Sequence, residues 1–156
     1  MDISIVAVGK LRLYYRDALD DYARRLQRYA TFREHEVREA SRAPTVPAQR
    51  TEEAGRLRAR VPQSSSLVAL ARVGAGWTSA DLAKQLERWQ VAARPVTFLI
   101  GGSHGLDETL VSAAAARWSL GPLTLPHELA RVVVAEQLYR AFTILKGEPY
   151  HKGGER

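Results

Sequence analysis

The stretch VTFLIGGSHG, Val96 to Gly105, runs an apolar segment straight into three glycines, Gly101, Gly102 and Gly105. A strand that ends in glycines brings backbone close to a small ligand, because a residue without a Cβ accepts turns and close approaches that others refuse. The two familiar ligands of such loops do not fit. A P-loop needs Lys and Ser/Thr after its last glycine, and a dinucleotide fingerprint needs G-x-G-x-x-G with an acidic residue about 20 residues on. A tight turn without a ligand is the plainer alternative. Other chemistry-bearing residues each have a structural competitor. His127, ahead of a long apolar segment, suits a hydrogen bond that holds structure. His35 and His104 are expected at the surface, and the four histidines are too scattered for a metal cluster. Glu136 sits in an apolar run, where a carboxylate is costly unless paired, and Arg140 is its ready partner four residues on. Arg16, Arg24, Arg25 and Arg28 either bind phosphate or line a solvated helix face. Trp77, Trp89 and Trp118 are expected in the core rather than as stacking platforms. No G-x-S-x-G nucleophile motif occurs.

The elements that must position these residues follow from composition and periodicity. The 156 residues, 46% hydrophobic, are expected to form a single domain spanning 1–156 with a sizeable core. There is no cysteine, hence no disulfide framework and no thiolate ligand or nucleophile. The opening MDISIVAVGK is not expected to be a signal peptide, and no run of about 18 apolar residues exists to span a membrane. The net charge is +6 and the pI about 10.0. That balance favours an anionic partner, nucleic acid being the commonest, although codon usage in a GC-rich genome also yields arginine.

Ile3 to Val8 reads as a buried strand and Leu13 to Tyr29 as a helix with Leu19, Tyr22, Leu26 and Tyr29 along one face. Thr31 to Val37 reads as a second strand. Residues 38–50, with two prolines and no period, read as a mobile loop, after which Thr51 caps a helix to Arg60. Leu67 to Ala71 reads as the third strand, followed by a turn at VGAGW and a helix capped by Thr78 or Ser79. Val96 to Ile100 is the fourth strand. A helix from Asp107 to Ala116, a short strand from Trp118 to Leu120 and the turn GPLTLP come next. The last helix runs from Pro126 to Lys146, with Gly147 at its C-cap. Alternating strands and helices predict an α/β domain with a mostly parallel sheet flanked by helices. Ligands of such sheets bind beyond the strands' carboxyl ends, so the loops after Ala71, Ile100 and Leu120 are expected to line one pocket. Val132, Val133 and Val134 are consecutive and cannot share one helix face, which predicts burial on several sides and a dimer interface.

The stretch LTLPHELARVVVAEQLYRAFTILKGEPYHK, Leu123 to Lys152, taken with FLIGGSHG, Phe98 to Gly105, and the opening IVAVGK, resembles the ribosomal RNA large-subunit methyltransferase H family of SPOUT methyltransferases. The likeness covers nearly the whole chain and is weakest from Arg38 to Arg60. It implies an α/β knot, with a deep trefoil knot in the C-terminal part, and a homodimer joined through the last helix. It implies S-adenosylmethionine as methyl donor, contacted by Leu70, Gly101 and the run Leu120, Gly121, Pro122, Leu123, Thr124 and Leu125, with no metal. The implied substrate is a pseudouridine of 23S ribosomal RNA in the assembled ribosome, methylated at N3 in the cytoplasm.

Methyl transfer from a sulfonium needs positioning and removal of the imide proton. The tail, residues 148–156, expected to be mobile until donor and RNA arrive, carries the candidates: His151 as proton acceptor, Lys152 as stabiliser of the imidate, and Tyr150 beside them. It serves either its own pocket or a partner's. Two departures from the family pattern stand out: the chain continues past Lys152 with Gly153, Gly154, Glu155 and Arg156, and Gly121-Pro122 replaces a more usual polar pair. The competing classes are a non-catalytic ribosome-associated RNA-binding protein of the same fold and a small-molecule enzyme with incidental basicity.

Overall fold

Side chains alternate between two cores along the strands, and that alternation builds the layers. The computed structural model describes residues 1–150. Its elements in chain order are β1 (Asp2–Val8), α1 (Leu13–Leu26), β2 (Thr31–Val37), α2 (Val46–Arg58), β3 (Ser66–Ala75), α3 (Ser79–Ala92), β4 (Val96–Ile100), α4 (Glu108–Ala113), β5 (Ala116–Trp118) and α5 (His127–Lys146). The five strands lie in the order β2-β1-β4-β3-β5, all parallel. Ile3, Ile5 and Ala7 of β1 and Val96, Phe98 and Ile100 of β4 face the larger core with α1, α3 and α5. Val6, Val8 and Leu99 face the smaller one with Ala54 and Leu57 of α2 and Leu110 and Val111 of α4. Covered on both faces, β4 is buried at every residue, as a central parallel strand must be. Trp77, Trp89 and Trp118 surround Phe98 with ring centroids 5.7–6.1 Å apart, a core cluster as expected.

Several boundaries differ from the sequence reading, each for a local reason. Helix α2 starts at Val46, inside the segment read as a loop, and Thr45 caps it by accepting from the Ala48 N–H at 3.2 Å. Pro47 falls in the first turn, where a missing N–H costs nothing. Thr51 is therefore interior, its hydroxyl bonded to the Pro47 carbonyl at 3.0 Å. Strand β3 continues through the predicted turn to Ala75 because it pairs with β5 on both sides of a bulge between Leu70 and Ala75. Strand β5 ends at Trp118 rather than Leu120, and α1 ends at Leu26 rather than Tyr29. Thr78, not Ser79, caps α3 in a capping box with Asp81.

Helix α5 is buried on several sides, as its composition required. Val134, Leu138, Ala141 and Phe142 are wholly enclosed, while Leu129, Val132 and Val133 are half-buried. The start of the tail is not loose. Gly147, at φ 67°, closes α5, and the Tyr29 hydroxyl donates to Glu148 at 2.5 Å. Tyr150 packs edge-on against Tyr139 at 4.7 Å. Expected free, residues 148–150 are held by the core; His151 and Lys152 lie outside the described residues.

Candidate functional site

The carboxyl ends of β3, β4 and β5 open into one cleft of about 660 Å³. Its walls are Leu70 to Val73 at the bulge within β3, Ile100 to Leu106 at and beyond the end of β4, and Trp118 to Leu125 at and beyond the end of β5, closed on one side by His127 and Ala130 of α5. Two of these walls are the loops expected after Ile100 and Leu120; the third, expected as a loop after Ala71, is the bulged part of β3 itself. The eight positions assigned by resemblance to donor contacts, Leu70, Gly101 and Leu120 through Leu125, all line this cleft.

Each loop is shaped by residues the chain could hardly replace. Gly102 and Gly105 pair across the glycine loop, with the Gly105 N–H donating to the Gly102 carbonyl at 3.0 Å. A Cβ on Gly101 would lie 2.5 Å from the Gly105 carbonyl carbon. The glycine is thus required by the loop's own closure, not by a positive φ at that residue. Gly105 (φ 78°) and Gly121 (φ 113°) do occupy the left-handed region. After β5, the Gly121 N–H donates to the Ser119 hydroxyl at 3.2 Å. Arg72 on β3 donates to the Thr124 hydroxyl, tying the first wall to the third.

Beneath the cleft lies an ionic cluster that the sequence did not reveal. Arg131 of α5 is fully buried. It donates to Glu34 at 3.0 Å, to Glu36, and to the carbonyls of Val8 and Gly9 at 3.2 and 2.9 Å. Arg16 completes the cluster, reaching Glu34 at 2.6 Å and Glu36 at 2.8 Å. Glu34 and Glu36 alternate with outward residues on β2, so both fall on the same face. Nearby, Glu128 accepts from Arg12 Nε at 3.1 Å. Burial opposes its charged form, yet the hydrogen bonds from the Arg12 side chain and backbone outweigh that and hold the carboxyl below its ordinary range.

The arginines of α1 are largely committed to acids: Arg16 to Asp20, Glu34 and Glu36, and Arg24 and Arg25 to Asp21. Arg16 is thereby tied into the partly buried acidic cluster, while Arg24 and Arg25 share Asp21 on an exposed helix face. Glu136 and Arg140 pair at 2.8 Å, as expected. His127, read as structural, lines the cleft, and so do Arg50, Arg72, Arg117 and His104. A signal for His127 was available, since the helix after a ligand loop in a parallel sheet begins at the ligand. Tyr150 does not line the cleft. It folds back on α5 at Tyr139, 12 residues or about 18 Å along the helix from His127. Burial, then a hydrogen bond with Tyr22 and the charge of Glu136, raise its phenol above the ordinary tyrosine value. Among the described residues no three His, Cys, Asp or Glu side chains gather as a metal set, and no helix is long and apolar enough to cross a membrane.

Comparison with known proteins adds the following. The family described as "Predicted SPOUT methyltransferase" matches residues 1–151. A ribosomal RNA large subunit methyltransferase H of Rubrobacter xylanophilus is 48% identical over 153 residues, covering 95% of this chain and 96% of that one. Its counterpart from Anaeromyxobacter sp. (strain Fw109-5) is 44% identical over 153 residues, covering 97% and 100%. Among solved structures, TrmJ from Z. mobilis ZM4 aligns over 92% of this chain and 71% of its own, with TM-score 0.48 and 15% identity.

Proposed function

This chain belongs to the SPOUT methyltransferase family, and from that premise we propose that it methylates N3 of a pseudouridine in 23S ribosomal RNA on the assembled ribosome, with S-adenosylmethionine as donor. The broader statement is secure at this similarity: the protein is a ribosomal RNA methyltransferase. The observation that carries the donor assignment is the convergence on a single cleft of the bulge in β3 and two glycine-opened loops, that of Gly101 and Gly105 after β4 and that of Gly121 after β5.

The residues fit the donor. The cleft has the size usual for a small-molecule site, roughly 300–1,000 Å³. Leu70, Leu120 and Leu125 offer apolar walls, and backbone groups of the glycine loop and the Ser119–Leu125 loop are within reach for polar contacts. When bound, the donor supplies an electrophilic methyl group on a sulfonium. What remains for the chain is to hold the acceptor in line, exclude water and remove the imide proton. We assign that last task to the tail, with His151 as proton acceptor, Lys152 facing the imidate and Tyr150 positioning the pair. Because Tyr150 sits about 18 Å along α5 from the cleft wall of its own chain, the tail's reach favours a partner's cleft.

The same reading makes the protein a cytoplasmic homodimer with a C-terminal trefoil knot. Leu129, Val132 and Val133 form a half-buried row on α5. Leu13 and Tyr14, 74% and 59% exposed at the start of α1, are further apolar surface open to a partner. Burying that surface against a second copy removes apolar area from water. Val134 is not part of it, being enclosed within its own chain. A non-catalytic RNA-binding protein has no need of such a cleft. The test is transfer of labelled methyl from S-adenosylmethionine to ribosomes, followed by mapping of the modified nucleotide. Label on a 23S pseudouridine N3 is expected; binding without transfer would favour the RNA-binding alternative.

A further inference from the structure

The arginines of this basic chain differ in what they face. Those of α1 are matched by Asp20, Asp21, Glu34 and Glu36. On α2 and just beyond it, three are held by uncharged acceptors. Arg50 Nε donates to the His104 carbonyl at 2.7 Å, Arg58 Nη2 to the Thr109 hydroxyl at 3.2 Å, and Arg60 Nη2 contacts His35 Nδ1 at 2.9 Å. A neutral acceptor fixes a guanidinium's direction without cancelling its charge, and it leaves the other N–H donors free for a further partner.

The carboxylates of this region are engaged elsewhere. Glu52 pairs with Arg56 at 3.3 Å. Glu53 is buried and accepts from the Ala40 N–H and the Gln49 amide. Asp107 caps α4 through the Thr109 N–H and accepts from Thr51 and from the same Thr109 hydroxyl that takes Arg58, so it stands one hydrogen bond away from that guanidinium and limits the field there. Glu108, on the cleft wall, sets a limit to the positive field at Arg50. The sign of that field is felt by His35, whose pKa is lowered first by burial and then by Arg60 and Arg33. Arg50 also lines the cleft. Eight residues separate it from Arg58, about 12 Å along the helix at ~1.5 Å per residue. That distance is long enough to follow more than one phosphate of a strand.

We propose that Arg50, Arg58 and Arg60 form a phosphate-binding path that carries the ribosomal RNA backbone across α2 to the cleft. The proposal rests on the reading of the protein as a ribosomal RNA methyltransferase and names the surface that holds its substrate. Contacts of this kind position the RNA and carry no sequence information, which leaves the choice of nucleotide to the cleft.

The test compares two exposed pairs. Arg58→Gln/Arg60→Gln removes the far end of the path, and Arg24→Gln/Arg25→Gln removes as much charge from α1. Binding to purified ribosomes is measured across salt concentration, with donor affinity by calorimetry and thermal midpoint as controls for folding. The α2 pair is expected to bind at least about tenfold more weakly near 0.1 M salt, with a salt slope smaller by about 1.4–1.8, near 0.7–0.9 per lost phosphate contact. Donor affinity should be unchanged. The α1 pair should stay within about twofold of wild type, and Arg58→Lys/Arg60→Lys should restore most of the slope. A wild-type slope in the α2 glutamine pair, or an equal loss in the α1 pair, overturns the path. Failure of the parent reading looks different: the wild-type protein would transfer no methyl group to ribosomal RNA, while the binding comparison would still report on the arginines.

Discussion

The two halves of α5 are buried by different means. From His127 to Val134 the helix is fastened by charge, with Glu128 on Arg12 and Arg131 on Glu34, Glu36 and the end of β1. From Ala135 to Lys146 it is fastened by hydrocarbon, with Leu138, Ala141 and Phe142 enclosed and Tyr29 stacked on Phe142 at 5.4 Å. The first half stands at the cleft, the second far from it. Directional bonds hold named atoms in place, as Arg131 does with the Val8 and Gly9 carbonyls, whereas apolar contacts are strong but not directional. The difference teaches that the charged half serves the geometry of the site and the apolar half the stability of the fold.

The largest effect expected is on the apolar half. Phe142→Ala should cost about 3–5 kcal/mol by cavity formation, read from urea unfolding, while the molecules that remain folded bind donor normally. Comparable loss of donor affinity would erase the distinction. On the cleft side, Gly101→Val pushes a side chain into the Gly105 backbone and should weaken donor binding at least about 100-fold, which is ~2.7 kcal/mol; calorimetry showing unchanged affinity would remove this loop from the site. Arg131→Met should cost about 2–3 kcal/mol, less than for a solitary buried pair because Arg16 still faces both glutamates. Unlike Phe142→Ala, it should also weaken donor binding, since Val8, whose carbonyl Arg131 holds, packs behind Gly102 of the cleft wall.

Truncation after Gly147 separates the tail from the half it leans on. Loss of Tyr150 packing and of the Tyr29–Glu148 bond should cost about 1–2 kcal/mol. Methyl transfer to ribosomes should fall ~10²-fold if the tail holds the proton acceptor. Single-turnover rates equal to wild type would exclude it. The smallest effect concerns pH. Because the folded pKa of Glu128 is depressed, its contribution is present above the unfolded value, about 4.3, and is lost as pH falls through the folded value. Glu128→Gln should therefore flatten part of the fall in melting temperature below about pH 4.5; a parallel, merely shifted profile would show that other carboxylates govern acid lability.

Much of the fold was legible because it depends on period and punctuation. Val96–Ile100 reads as a strand at its true bounds, and Gly147 marks the end of α5, since a buried apolar run and a left-handed cap are local properties. Thr45 was missed because prolines beside it look like breakers from sequence, although in a helix's first turn they are not. The extension of β3 to Ala75 was invisible for another reason: Gly74 and Ala75 are held by β5, more than 40 residues later.

The cleft loops were found because a parallel sheet makes strand ends the binding side, a rule that needs only strand positions. By itself the sequence determined the alternation of strands and helices, the glycine loop and, through the Leu123 to Lys152 resemblance, the family. Tertiary structure alone decided which charges are free. Arg16 and Arg58 look alike in a list of residues, but β2 brings Glu34 and Glu36 to the first, and α4 offers the second only a hydroxyl. Whether a guanidinium is spent on a carboxylate or remains a positive field depends on a neighbour a few ångströms away in space and far along the chain, and no local pattern encodes that distance.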